Sequence, residues 1–429
     1  FGKPLCKRHS MTSPAKMRRG LVLRAYLAVS YLFVLIAPLI LRKRVRRGKE
    51  HPTRWREKQS QSLALRPKGR LVWLHAVGLG EAMSLRGLIP RMAAAQPELS
   101  FLVTSTTVAS AQVFARHAPP QTLHQFLPID APAYRRRFLD HFQPDLCVWV
   151  EQDLWPGFVS DIAVKGIPQA VVAARMNDRS FRSHQKAGKL YGDLYHAMHL
   201  VTAQDARTAA HLCALGADAI VTGSLKPAAP VLDCDPHQLA ALKYHLSDRF
   251  VWAVAPAHPK DIALARAAHE VLLRTNPGAL LIIAPRFPDA LAETSLPRRS
   301  AGQLPAPSDT VWLCDTLGDL GLVYRVCQAV LIGGTFSDIE GHNPWEAAAL
   351  NTVILHGPRT LHFADDFALL DASQAAVPVN NAQAIADTLM TAPQSGFARA
   401  AQSVLEQASQ RTDLLAADLL GLLKPPHDR

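Results

Sequence analysis

From residue 71 onward, short apolar runs alternate with longer stretches in which apolar positions recur at helical spacing. Leu71–Leu74, Phe101–Thr104, Leu146–Val150, Gln169–Ala173 and Leu200–Thr202 form a first series of such runs. Phe250–Val254, Ala279–Ile283, Thr310–Leu313, Ala329–Ile332 and Thr352–Leu355 form a second. A run that is apolar at every position, rather than at every other one, predicts a parallel strand buried on both faces. The stretches between, such as Ile262–Thr275, predict helices. Strands alternating with helices build parallel sheets covered on both sides. Two series predict an α/β chain of two doubly wound, Rossmann-like domains, divided near Gly223–Asp235 where prolines cluster. The expected domain ranges are 48–225 and 226–429.

One apolar stretch breaks this rhythm. Ala25–Leu41 runs 17 residues without a charge, and Leu21-Val22-Leu23 extends it past Arg24. That length is close to the minimum for crossing a bilayer, with Arg24 able to snorkel. A signal peptide would end in a small-residue cleavage site, whereas Arg42-Lys43-Arg44-Val45-Arg46-Arg47 follows here. A core helix would not be bracketed by basic clusters. The pattern predicts a basic leader over 1–20 and a membrane-anchor helix over 21–41, with the body on the cytoplasmic side. Pro38 leaves open a kinked or half-inserted helix.

Charge sharpens this reading. The net charge of +12 would suggest nucleic acid if it were spread over the chain. Residues 1–70 instead hold 19 Lys and Arg against Glu50 and Glu57, while the remainder holds 28 against 33 acidic residues. The body is mildly acidic, so the distribution suits an anionic membrane surface better than a DNA-reading face, and no nucleic-acid partner is expected. The six cysteines include no CxxC pair and the 18 histidines no HExxH spacing. No metal or other cofactor is expected, and a reducing compartment is.

In doubly wound sheets ligands bind at the carboxyl ends of the strands, so the loops after strands carry the chemistry. The most informative is Gly334-Thr335-Phe336-Ser337-Asp338-Ile339-Glu340-Gly341-His342-Asn343-Pro344-Trp345-Glu346, which follows Ala329–Ile332 and Gly333. Asn343 as N-cap, Pro344 at the first helical position and Glu346 one turn in would start a helix after a glycine turn, with backbone N–H groups turned toward a phosphate. A capping box between Asn343 and Glu346 would explain the same residues.

The first strand leads into His75-Ala76-Val77-Gly78-Leu79-Gly80-Glu81. Gly78 and Gly80 free the turn, and Glu81 stands at a helix start. It is there either as a carboxylate favoured by the helix dipole or as a general base at the sheet's mouth. Met83 in place of a third glycine excludes a dinucleotide fingerprint. A later strand ends at Glu151-Gln152-Asp153, whose two carboxylates would point the same way if extended. Arg175 follows the next strand and suits an anionic acceptor. Lys226, His258 and Arg286 follow predicted strands or the domain boundary, and the two cations suit phosphate.

These loops, in this order behind a basic anchor, resemble the Kdo transferases, which move 3-deoxy-D-manno-octulosonic acid from its CMP conjugate to the lipid A precursor. The resemblance runs from the anchor and Arg54-Trp55-Arg56-Glu57 to Glu346, and Gly341-His342-Asn343-Pro344-Trp345-Glu346 is its strongest part. It implies a two-domain GT-B glycosyltransferase that inverts the anomeric centre without metal, binding the acceptor on the N-terminal domain and CMP-Kdo on the C-terminal one. By the same resemblance Glu81 takes a proton from the acceptor hydroxyl and Glu346 receives the donor ribose hydroxyls. Arg286, Lys226, His258, Asn343 and the Gly333-Gly334-Thr335 turn belong to the donor site; Gly78, Gly80, Glu151, Asp153 and Arg175 belong to the acceptor cleft.

The chain departs from the family pattern in several places. Gly78 replaces a usual Ser, Asp153 a usual Glu, and Phe287 the His of Pro-Arg-His; Pro256-Ala257-His258 replaces Ser-Thr-His. Three other readings compete with Kdo transfer: a GT-B transferase using another sugar donor, a GT-B-like sugar-nucleotide epimerase, and a non-catalytic membrane-binding protein. The resemblance places the protein at the cytoplasmic face of a bacterial inner membrane.

Overall fold

The computed structural model describes residues 19–151, 154–247, 249–288, 295–391 and 396–423. The chain divides into two compact units, one of residues 1–229 and 410–429, the other of residues 230–409.

The first unit is built on seven parallel strands: β1 (Leu71–His75), β2 (Ser100–Ser105), β3 (Thr122–Phe126), β4 (Leu146–Val150), β5 (Gln169–Ala174), β6 (Leu200–Ala203) and β7 (Ala219–Val221). Their order is β3-β2-β1-β4-β5-β6-β7, the doubly wound arrangement whose direction reverses between β1 and β4. Side chains on β1 alternate between two cores. Trp73 packs on one face with Trp149, Phe138 and Phe158, while Val72 and Leu74 pack on the other with Leu85, Leu88 and Phe101. Register is fixed by the pairing of Trp73 with Leu102 on one side and Cys147 on the other.

The second unit repeats the plan with β8 (Val251–Ala257), β9 (Leu280–Pro285), β10 (Val311–Leu313), β11 (Ala329–Ile332), β12 (Val353–His356) and β13 (Ala376–Pro378), in the order β10-β9-β8-β11-β12-β13. Here the reversal falls between β8 and β11. Trp252 and Val254 face one core, Val251, Ala253 and Ala255 the other.

The ten predicted strands are present. Three more, β3, β7 and β13, escaped the sequence reading, and each lies at the edge of a sheet. An edge strand need not be apolar throughout: β3 reads Thr-Leu-His-Gln-Phe, with its first three residues only half-buried. The end of the expected second domain also needs correcting. Residues 410–429 return to the first unit, where Leu415, Ala416, Leu419 and Leu423 join the core beside Leu85 and Leu88. Periodicity shows a helix to be amphipathic but does not say which core its apolar face joins.

The apolar stretch near the N-terminus forms a helix over Leu21–Val29, a 3₁₀ turn over Ser30–Leu32 and a second helix over Phe33–Arg46. It is long and apolar enough to cross a membrane. Pro38 lies inside it and cannot donate a backbone hydrogen bond to Val34 one turn earlier. The Tyr134 hydroxyl donates to that carbonyl instead, at 3.4 Å.

Candidate active site

In the first unit the polar residues collect where β1, β4 and β5 end. Gly78 is the extended N-cap of the helix Leu79–Ala95, and Glu81 is its third residue. The Val77 N–H donates to Glu81 Oε2 at 2.6 Å, so the carboxylate closes the turn that carries it. Its capping role is therefore present, at a position that also opens on the sheet's reversal point. Below it, His75 is buried; its Nδ1 lies 2.9 Å from Thr104 Oγ1 and its ring meets Trp149 and Trp155 edge-on. Burial pushes the His75 imidazole down to about 3, so it is neutral at physiological pH.

Glu151 follows β4 with a φ of +63°, outside the extended region. The continued strand that would point Glu151 and Asp153 the same way therefore breaks at Glu151. Asp153 lies outside the described residues. Arg175 follows β5 and is half-buried, one strand over from Glu151. Gly80 is exposed in the first turn of the helix, where a side chain would meet nothing. Lys226 opens a short 3₁₀ turn, Lys226–Ala228, within the first unit. The other expected donor-site residues all belong to the second.

There the site is assembled at the β8–β11 reversal point. Gly333 follows β11 so closely beside β8 that a Cβ would lie 1.8 Å from the Pro256 carbonyl oxygen; only glycine fits. Gly334 adopts a φ of +75°. The turn does not hold its amides open for phosphate, however. Gly333 N–H donates to Ala255 O at 3.2 Å and Gly334 N–H to Asp261 Oδ2 at 2.7 Å. Thr335 is similarly engaged: its hydroxyl donates to Ile332 O and accepts from Gly357 N–H, tying the turn after β11 to the one after β12.

Asp261 was not singled out from the sequence. It is fully buried three residues into the helix Pro259–Leu272, and its Oδ2 accepts from both His258 N–H and Gly334 N–H. The signal that could have revealed it is His258-Pro259-Lys260-Asp261, an N-cap, a proline at the first helical position and an acid at the third.

His342 stands within the Gly341–Glu346 motif. Its Nε2 lies 2.8 Å from His258 Nε2 with the rings near parallel, so one imidazole donates to the other. Burial lowers both histidines, and in His342, pushed down to about 4, the adjacent His258 and Arg286 add to the effect. The pair is neutral at pH 7. Arg286 follows β9, exposed, with its guanidinium 5.5 Å from the Phe287 ring. Phe287 meets His258 edge-on at 6.0 Å.

Glu346 lies in a four-residue helix, Trp345–Ala348, that begins one residue later than predicted. Asn343 Oδ1 accepts from Trp345 N–H at 3.1 Å, and Asn343 Nδ2 donates to Glu346 Oε1 at 3.3 Å. Burial raises the Glu346 carboxyl, with the Asn343 bond opposing it. The buried Tyr324 hydroxyl, without a hydrogen-bond partner among the described residues, is pushed up by burial and by the Glu346 charge.

Two doubly wound sheets in one chain, each gathering polar side chains at its reversal point, define a GT-B-like fold. The chain resembles UDP-GlcNAc 2-epimerase from Neisseria meningitidis (TM-score 0.53, 14% identity, 82% of this chain and 99% of that one). It also resembles the spinosyn rhamnosyltransferase (TM-score 0.50, 15% identity, 82% and 100%). At these identities the likeness is one of fold.

Sequence relationships are closer. Residues 51–229 match the 3-deoxy-D-manno-octulosonic-acid transferase (kdotransferase) family. The chain is 31% identical to a probable mitochondrial 3-deoxy-D-manno-octulosonic acid transferase of Arabidopsis thaliana, over 84% of its own length and 85% of the relative's. It is 30% identical to the 3-deoxy-D-manno-octulosonic acid transferase of Rickettsia bellii (79% and 82%) and 27% to that of Haemophilus influenzae (73% and 76%). The protein belongs to the 3-deoxy-D-manno-octulosonic acid (Kdo) transferase family, and is a glycosyltransferase.

Proposed function

We propose that the protein transfers Kdo from CMP-Kdo to a lipid A precursor, with inversion and without metal, at the cytoplasmic face of a bacterial inner membrane. The observation that carries this reading is the placement of a carboxylate, Glu81, at the reversal point of the first sheet. The first unit then takes the acceptor and the second the nucleotide sugar.

In this mechanism Glu81 removes the proton from the acceptor hydroxyl as its oxygen attacks the anomeric carbon of Kdo, and CMP departs with the bonding electrons. Fixing by the Val77 N–H holds the base in one orientation, which favours a near-attack geometry. Arg286 stabilises the departing phosphate. Neutral His258 and His342 contribute hydrogen bonds there rather than charge. Glu346, oriented by Asn343, receives ribose hydroxyls. Gly333, Gly334 and Thr335 act by shaping the turn beneath the nucleotide. Glu151, Arg175 and the open backbone at Gly78 and Gly80 line the acceptor side.

The decisive experiment incubates the full-length protein with CMP-Kdo and tetra-acylated lipid A precursor and weighs the products. A mass increase by whole Kdo units is expected, with CMP inhibiting and UDP not. Absence of product, together with inhibition by UDP alone, would assign the site to another sugar nucleotide.

A further inference from the structure

The N-terminal helix has two apolar faces in two different surroundings. Leu23, Ser30, Ala37 and Leu41 are buried, a helical spacing that turns one stripe against the first unit. Contacts run along its whole length: the helices Pro156–Val164 and Leu190–Tyr195 meet its first half, and Pro132–Phe142 and the turn Arg54–Gln59 its second. Polar bonds fix that face. Tyr26 Oη donates to Asp130 Oδ2 at 2.7 Å, Gly20 N–H to Asp193 at 2.8 Å, and the carbonyl freed by Pro38 turns inward to Tyr134.

The opposite face is apolar and uncovered. Leu21 is 84% exposed, Leu35 71%, Leu39 66% and Ile40 51%. A stripe of this kind needs a partner. The charges around it indicate which one: no acidic residue precedes Glu50, and Arg19, Arg24, Arg42, Lys43, Arg46 and Arg47 bracket the stripe. At the helix start Arg19, Arg24, Leu27 and Tyr31, with Asp193, line an open groove of about 850 Å³. Guanidinium groups above apolar walls suit the phosphate of a lipid headgroup.

A helix crossing the bilayer would have hydrocarbon around its full circumference. Here the inward face is occupied by the protein, and the groups docked on it include Asp130, which pairs with Arg135, and Asp193. Carrying those charges to membrane depth is costly. We propose that the helix does not span the membrane but lies along one leaflet of an anionic bilayer, its Leu21–Ile40 face immersed and its other face held on the first unit by Tyr26 and Asp130. At ~1.5 Å per residue the 26 residues of Leu21–Arg46 cover roughly 39 Å of membrane surface. Both helix ends then lie on the same side as the body. This inference deepens the membrane-associated part of the proposed function and does not depend on the sugar transferred.

Two measurements test it, neither using a sugar substrate, so their failure is distinct from failure of the transferase reading. Cys213 is exposed and marks the side of the body. In sealed membranes an impermeant maleimide, followed by peptide mapping, should label Cys213 and an Arg19→Cys substitution from the same side. Labelling of the two from opposite sides would establish a spanning helix and overturn the proposal. In the second measurement Leu35→Asp/Leu39→Asp should reduce binding to phosphatidylglycerol-containing vesicles at least tenfold at an unchanged melting temperature. Wild-type vesicle binding by this variant would show that another surface meets the membrane.

Discussion

Asp261 Oδ2 lies 2.7 Å from the Gly334 amide nitrogen, across the point where the second sheet reverses direction. The same oxygen receives the His258 N–H at 3.0 Å. One buried carboxylate thus sets the spacing between the loop after β8, which carries His258, and the glycine turn after β11.

Replacing Asp261 with Ala leaves two inward N–H groups without their acceptor, at about 1–3 kcal/mol for each buried group. The variant should melt lower and bind CMP more weakly. Asp261→Asn keeps one oxygen acceptor and should recover much of both losses. A CMP affinity in Asp261→Ala equal to wild type, measured calorimetrically, would limit Asp261 to helix capping.

Glu81→Gln preserves an acceptor for the Val77 N–H while removing the base. Transfer should drop by ~10²–10⁴ with folding and CMP binding intact. Activity above a third of wild type would leave Glu81 with its observed structural role alone.

Glu346→Ala should weaken CMP binding, whereas Glu81→Gln should not. Loss of the Asn343 contact could lower stability by about 1 kcal/mol. Melting curves first establish folding; calorimetry with CMP then separates the two glutamates. Undiminished CMP affinity in Glu346→Ala would remove it from the donor site.

Acid should destabilise the protein through histidines held neutral by burial. His75 and His124 are pushed down to about 3 and His342 to about 4, from 6.5. Above pH 6.5 these groups are neutral in the folded and unfolded chain alike. Below it the unfolded chain binds protons that the folded one excludes, so stability falls as pH drops toward 4 and then 3. The melting temperature should fall from pH 7.5 to pH 5, and less steeply in His342→Gln. A flat profile over that interval would contradict the burial argument.

Deleting residues 1–47 removes Leu23 from the first core and the Tyr26 bond to Asp130. The truncated protein should still bind CMP and transfer Kdo to a deacylated acceptor, yet melt lower than the full chain in detergent. An unchanged melting temperature would show that the helix contributes no packing to the first unit.

The sequence by itself determined the central strands, the two-sheet plan and the apolar helix, because a strand buried on both faces must be apolar at every position. It also placed Glu81, His258, Arg286 and Glu346 in the segments that follow β1, β8, β9 and β11, where the structure has them. Edge strand β3 was hidden because a half-exposed strand tolerates polar residues, and β7 and β13 because each is only three residues long. Tertiary structure alone decided that residues 410–429 fold with the first unit, as an amphipathic helix does not name its core. It alone brought Asp261 to Gly334 and His258 to His342, pairs separated by 73 and 84 positions. It also gave the N-terminal helix an inward and an outward face, for hydropathy measures how apolar a residue is and not whether protein or lipid covers it.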